Sequence, residues 1–154
     1  MRRASWMMSV IGLALILALV PGCGRKKAND HFIKGTTYLE RKQYEDARRE
    51  YEAALQAYPK HYQSYYGLGV VEMTQGNYQK ALERFNKAIE LKRDFSSPYY
   101  QKARAYAMLG NANAALDALK RAIQLDEEWL QKARTDKVLE RLKDDPRFQE
   151  IVGQ

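Results

Sequence analysis

A chain of 154 residues, 45% hydrophobic and 29% charged, is long enough to bury a core and too apolar to be disordered. Its 26 Lys and Arg against 19 Asp and Glu give a formal net charge of +7, an excess that suits anionic lipid or an acidic partner. No aromatic-basic recognition motif accompanies that charge, so nucleic acid is not an expected partner, and the single cysteine rules out an internal disulfide.

Arg2 and Arg3 open the chain. Residues 10–20 then form an apolar run broken only by Gly12, extended upstream by residues 6–8 and stopped by Pro21 and Gly22. A positive start before a short apolar stretch is the pattern of an export signal, and the run falls short of the roughly 20 residues a spanning helix needs. Residues 1–22 are therefore expected to be a signal peptide. Val20, Pro21, Gly22 and Cys23 resemble the lipobox of bacterial lipoproteins, an aliphatic residue and two small ones before an invariant Cys, with Pro21 departing from the usual choice. That resemblance implies acylation of the Cys23 thiol by diacylglycerol and cleavage just ahead of it. A lone Cys in an exported chain fits this use; the alternative is an uncleaved signal anchor with an incidental Cys. Either places the folded part outside the cytoplasmic membrane and tethered to a membrane, facing the periplasm or the exterior. Several acyl chains attach firmly where one is marginal.

Residues 23–29 read as the lipidated Cys and a short polar linker. Stretched out, 24–29 reach at most ~20 Å, which keeps the fold near its bilayer. Arg25, Lys26 and Lys27 would then meet anionic headgroups, unless they are simply a solvated run. In Gram-negative lipoproteins Asp after the Cys favours inner-membrane retention, so Gly24 leans towards the outer membrane in such a source.

From residue 28 onward the chain repeats with a period of 34 residues. Ala47, Ala81 and Ala115 coincide, as do Ala54, Ala88 and Ala122, the bulky series Tyr51, Phe85 and Leu119, and the small series Gly35, Gly69 and Ala103. Gly76 and Gly110 share the turn between two helical stretches. A fixed period of this length is the signature of stacked helix-turn-helix units, here 28–61, 62–95 and 96–129. The small residues mark where paired helices approach most closely, and the bulky series fills the space between units.

In this register the chain resembles the tetratricopeptide repeat family. Unit one supplies Gly35, Tyr38, Ala47, Tyr51, Ala54 and Pro59; unit two supplies Gly69, Ala81, Phe85 and Ala88; unit three supplies Ala103, Tyr106, Ala115 and Ala122. Unit two has Glu72 and Arg93 where Tyr and Pro are usual, and unit three has Leu119 and Glu127 for the aromatic and the Pro. The resemblance implies an all-α, right-handed solenoid whose first helices line a concave, partner-binding face. On that face Phe32, Tyr66 and Tyr100 would stand one repeat apart, with Thr36, Leu39, Val70, Met73, Arg104 and Met108 around them. This reads as a groove for an apolar peptide, with Arg104 available to an acidic group. Packing against a neighbouring helix or terminal segment is the competing use of these rings, and the expected one for Tyr65 and Tyr99. The chaperone-binding members clamp a carboxylate with Lys and Asn. The matching positions here are Phe32, Thr36, Gly67, Ser97 and Gln101, so that clamp is not expected.

The last unit needs a cap with a polar outer side. Trp129, Leu130, Ala133, Val138, Leu139 and Leu142 suit one or two short helices. Asp145 and Pro146 then suit the start of another, carrying Phe148, Ile151 and Val152. Residues 130–154 are thus expected as capping helices, and 134–148 resemble a structural tail that follows such repeats in many bacterial proteins. His31 and His61 occupy different repeat positions, and no metal-ligand spacing, phosphate loop or nucleophile motif appears, so no cofactor, no metal, no small-molecule substrate and no enzymatic activity are expected. The resulting expectation is a lipid-anchored scaffold or adaptor for assembly of a bacterial cell-envelope complex. The alternative is a self-associating structural envelope component without a dedicated client.

Overall fold

The computed structural model describes residues 21–153, so the expected signal segment, apart from Pro21 and Gly22, lies outside the described residues. The described residues are helical throughout, without strands: α1 (Pro21–Glu40), α2 (Tyr44–Ala57), α3 (Tyr62–Thr74), α4 (Tyr78–Leu91), α5 (Ser96–Met108), α6 (Ala112–Leu125), α7 (Glu128–Thr135), a 3-10 turn (Leu139–Leu142) and α8 (Pro146–Val152). Each odd-numbered helix from α1 to α5 packs on the next even-numbered one, and each pair packs on its successor. The all-α solenoid expected from the period is the architecture found.

The repeated residues form the core. Ala47, Ala54, Ala81, Ala88, Ala115 and Ala122 are all fully buried, as are Phe85 and Leu119, with Tyr51 at 1% exposure. Why the first helices carry glycine is a matter of ångströms. A Cβ added at Gly35 would stand 2.7 Å from the Tyr51 ring, and one at Gly67 would stand 2.5 Å from the far edge of the same ring. The Tyr51 ring is held between α1 and α3, and neither helix has room for a methyl group.

The turn inside each unit needs a left-handed residue. Gly76 (φ +78°) and Gly110 (φ +75°) supply it in units two and three. In unit one the equivalent residue is Lys42, at φ 60°, a conformation that costs a side-chain-bearing residue about 1–2 kcal/mol. At the C-terminal end Asp145 accepts a hydrogen bond from the Arg147 N–H at 3.0 Å, with Pro146 opening α8.

One expectation is corrected. Residues 24–29 are not an extended link: α1 runs continuously through them for 20 residues. Ala28 is fully buried, and a Cβ on Gly24 would meet the Ala57 carbonyl oxygen at 2.7 Å, so the first turns of α1 lie on the end of α2. Three consecutive residues of positive character and a glycine hid this helix, because only one apolar side chain of the stretch faces the core. At 1.5 Å of rise per residue the six residues span about 9 Å rather than ~20 Å.

The second departure is electrostatic. Glu72, which replaces the usual Tyr of unit two, is 3% exposed. It accepts from Arg48 Nη1 at 2.6 Å and from Asn77 Nδ2 at 2.9 Å. Arg48 also donates to Gln75 Oε1 at 2.7 Å, and Gln75 in turn donates to Glu45 Oε1 at 2.9 Å. Units one and two are thus joined by a polar bridge where an aromatic contact is customary. Burial pushes the Glu72 carboxyl up, but hydrogen bonds from Arg48 and Asn77, with the positive charges of Arg48 and Lys80, outweigh it and hold the pKa below its ordinary value.

The C-terminal segment joins the same core as unit three: Ala133, Leu139, Leu142, Phe148 and Ile151 are buried with Leu116, Leu119 and Ala122. The buried core among the described residues lies between Ala28 and Ile151, within residues 23–154.

Candidate concave interaction surface

The first helices α1, α3 and α5 place Phe32, Tyr66 and Tyr100 at equivalent positions, but their surroundings differ. Phe32 is half-buried, its ring centre 5.8 Å from that of Tyr51 and 5.5 Å from that of His61. Tyr66 is also half-buried, edge-on to Phe95 at 5.3 Å and tilted 5.9 Å from Phe85. Burial raises the Tyr66 phenol pKa against the opposing influence of Gln101 and Arg104. Both rings therefore contribute an edge to the surface while filling the space between units.

Tyr100 is not available to a partner. Its ring stacks on Trp129 with centres 4.4 Å apart and planes 25° apart, and it is only 5% exposed. Its hydroxyl donates to Asp136 Oδ2 at 2.8 Å. Burial, then that bond to a carboxylate, drives the phenol pKa far above the usual tyrosine value. Arg104 is engaged by the same carboxylate, with Nε 3.0 Å from Asp136 Oδ2. That contact is an ion pair without well-aligned hydrogen-bond geometry, since Nε itself has no hydrogen-bond partner; Nη1 donates to Gln101 Oε1 at 2.9 Å. The expected groove thus loses Tyr100 and Arg104 from its third unit. The chain's own segment from Trp129 to Asp136 covers that position, because the last unit has no successor to bury its face.

What stays accessible runs along α1 and α3 and reaches α5. Val70, Met73 and Met108 are half-buried, as are Thr36 and Leu39. Leu39 packs on the core of unit one, and the Thr36 hydroxyl turns inward, donating to the Phe32 carbonyl oxygen at 3.1 Å and lying 3.4 Å from the Tyr51 hydroxyl. Ile33, beside Phe32, is 61% exposed, an apolar residue that the repeat pattern did not single out. Tyr99 packs on the unit-three core with its hydroxyl donating to the Arg93 carbonyl oxygen at 3.2 Å.

A second concavity lies where units one and two meet at the N-terminal end of α1. It encloses about 430 Å³ and is lined by Arg25, Asn29, Tyr58, Lys60, His61, Tyr62, Gln63 and Leu91. His61 is 3% exposed and fully engaged: Nδ1 lies 2.8 Å from Ser64 Oγ, and Nε2 lies 2.8 Å from Asn29 Oδ1. Burial, then the nearby Arg25 charge, lowers its pKa, which favours the neutral ring. The cavity has no orphaned polar group that calls for a metal, and among the described residues no three His, Cys, Asp or Glu side chains gather in a metal-binding cluster. Nor is any helix among them long and apolar enough to cross a membrane.

Two tetratricopeptide repeat family models match the chain, over residues 34–94 and 72–154. The Hsp70-Hsp90 organising protein of Plasmodium falciparum is 31% identical over 71 residues, which is 46% of this chain and 13% of that protein. The solved structure of MamA is similar with a TM-score of 0.68 and 18% identity, over 82% of this chain and 72% of that one. The tetratricopeptide domain of Arabidopsis OM64 gives 0.68 and 16%, over 82% and 98%. The Yersinia enterocolitica type III secretion chaperone SycD, in complex with a peptide of the translocator YopD, gives 0.67 and 18%, over 77% and 93%. At these identities the structural likeness is one of fold.

Proposed function

The chain belongs to the tetratricopeptide repeat family, and on that premise we propose that it is a non-catalytic, membrane-tethered scaffold that binds a segment of another cell-envelope protein. The observation that carries this reading is the partly open apolar surface of Phe32, Tyr66, Val70 and Met73 on α1 and α3. Side chains of this kind offer large contact area at modest cost in lost freedom, and Met adapts to irregular partners. The binding segment is short, because Trp129 and Asp136 take the third position. SycD, a neighbour in fold, holds a peptide of YopD, which is the kind of partner envisaged here.

The tether is read from the lipobox-like residues Val20 to Cys23, and Cys23 is exposed. The location is the cell envelope, on the periplasmic or exterior side, with the outer membrane favoured in a Gram-negative source. Cross-linking capture from intact cells tests both parts. Full-length protein is compared with Val70→Glu/Met73→Glu and with Cys23→Ser. One envelope protein captured by the first and lost from the groove variant is the expected result. Equal capture by the groove variant would remove this surface from the mechanism. Mass analysis of the mature protein shows whether Cys23 carries acyl chains.

A further inference from the structure

The end of the solenoid from which the chain enters carries more positive charge than residues 24–29 alone provide. Successive helices alternate in direction, so the start of α1 and the turns at 58–61 and 92–95 share one end. Contacts join them into one surface. The Arg25 guanidinium donates to the Tyr58 hydroxyl at 3.3 Å, with its carbon 5.3 Å from the centre of that ring. The Lys92 ammonium stands 5.3 Å over the Tyr62 ring. Between the two opens the cavity bordered by Lys60 and Leu91. Lys26, Lys27, Lys60 and Arg93 are all exposed. Against these cations the same part of the edge carries Asp30, Asp94 and Glu90, the last paired with Lys87 at 2.8 Å. At unit three the sign reverses: Asp126, Glu127 and Glu128 occupy the equivalent turn.

We propose that the edge formed by Arg25, Lys26, Lys27, Lys60, Lys92 and Arg93 docks on the headgroup phosphates of an anionic membrane. The acidic turn of unit three is repelled from the same surface, so the solenoid leans on units one and two and lifts its C-terminal end. The inference rests on the tether reading, which selects a membrane over an acidic protein as the occupant. The apolar residues 10–20 and Cys23 lead into α1 at this edge. Arg25 lies only about 3 Å of helix rise beyond Cys23, well inside the ~8 Å Debye length of physiological salt. Tyr58 and Tyr62 flank the cations with rings suited to a boundary between apolar and wet surroundings.

The test uses residues 23–154 with Cys23→Ser, so that neither acyl chain nor apolar run contributes. Its sedimentation with vesicles of phosphatidylcholine is compared with that on phosphatidylcholine–phosphatidylglycerol mixtures. Binding to the mixed vesicles alone, weakened by salt, is the expected result. Each cation near an anionic surface changes partitioning about five-fold, so Lys60→Gln/Lys92→Gln/Arg93→Gln lowers binding on the order of a hundred-fold. Arg41→Gln/Lys42→Gln/Lys80→Gln removes the same charge from the opposite end and leaves binding within a few-fold. Equal loss from both triple variants would show diffuse attraction and overturn the edge. No preference for the anionic vesicles would overturn it outright. Acylation of Cys23 is measured separately on the full-length protein, so failure of the tether and failure of the edge are told apart.

Discussion

Replacing Gly69 by Ala sets two opposing effects against each other, and the structure decides between them. Gly69 lies inside α3, where Ala is favoured over Gly by about 1 kcal/mol. The added Cβ, however, would stand 2.4, 2.6 and 2.9 Å from three atoms of the Phe85 ring. That ring is fully buried and packed beside Tyr66, so it cannot swing into solvent. Overpacking of a closed core costs about 1–3 kcal/mol, and three contacts this short place the cost in the upper half of that range. The net loss is about 1–2 kcal/mol, a fall of roughly 4–8 °C in Tm for a domain of this size. Thermal and urea unfolding of residues 23–154 measure it. Phe85→Leu alone destabilises by leaving space, but in the double variant the new methyl uses that space, giving a favourable coupling of about 0.5–3 kcal/mol. A Gly69→Ala protein more stable than the parent would refute the argument, because it would mean that α3 and Phe85 are not held at this separation.

Other expectations follow from the same contacts. Ala81→Leu overpacks the fully buried small position of unit two and costs about 1–3 kcal/mol in urea unfolding. Lys42→Gly relieves the left-handed turn of unit one and gains up to about 1 kcal/mol, whereas Gly76→Ala at φ +78° loses a similar amount; the two denaturation midpoints should move oppositely. Because the folded Glu72 pKa lies below its ordinary 4.5, its contribution is complete above that pH and is lost as pH falls through the folded value; Glu72→Gln should flatten the acid limb of a stability–pH curve. His61 is likewise depressed, from 6.5, so the neutral ring stabilises above that pH and its contribution is lost as pH falls through the folded value; His61→Gln should reduce the stability change in that window. Trp129→Ala removes the cover of Tyr100, and hydrogen exchange of α7 should accelerate while that of α2 does not change.

The architecture was legible in the sequence because a repeat imposes the same steric demand several times. Gly35 and Gly69 are small for one reason, the aromatic ring of Tyr51 or Phe85 lying against them, and alanine is required at 47, 81 and 115 where helices pair. A short-range period of apolar and small residues is therefore enough to specify helix, turn and stacking order. The buried Glu72 was visible only as an exception to the pattern. What satisfies it, Arg48 from the neighbouring unit, depends on how units pack rather than on local spacing.

The candidate surface divided along the same line. Sequence alone placed Phe32, Tyr66 and Tyr100 on one face, since equivalent repeat positions point the same way. It did not determine that Tyr100 and Arg104 would be taken by Trp129 and Asp136, because that contact joins residues some 30 positions apart through a segment outside the repeat. Nor did it reveal that residues 24–29 continue α1, a helix held by docking on the end of α2 more than by its own apolar pattern. Local chemistry recurs and can be read along the chain. The cover over the last unit and the cations gathered at one edge arise only when distant turns are brought to the same end.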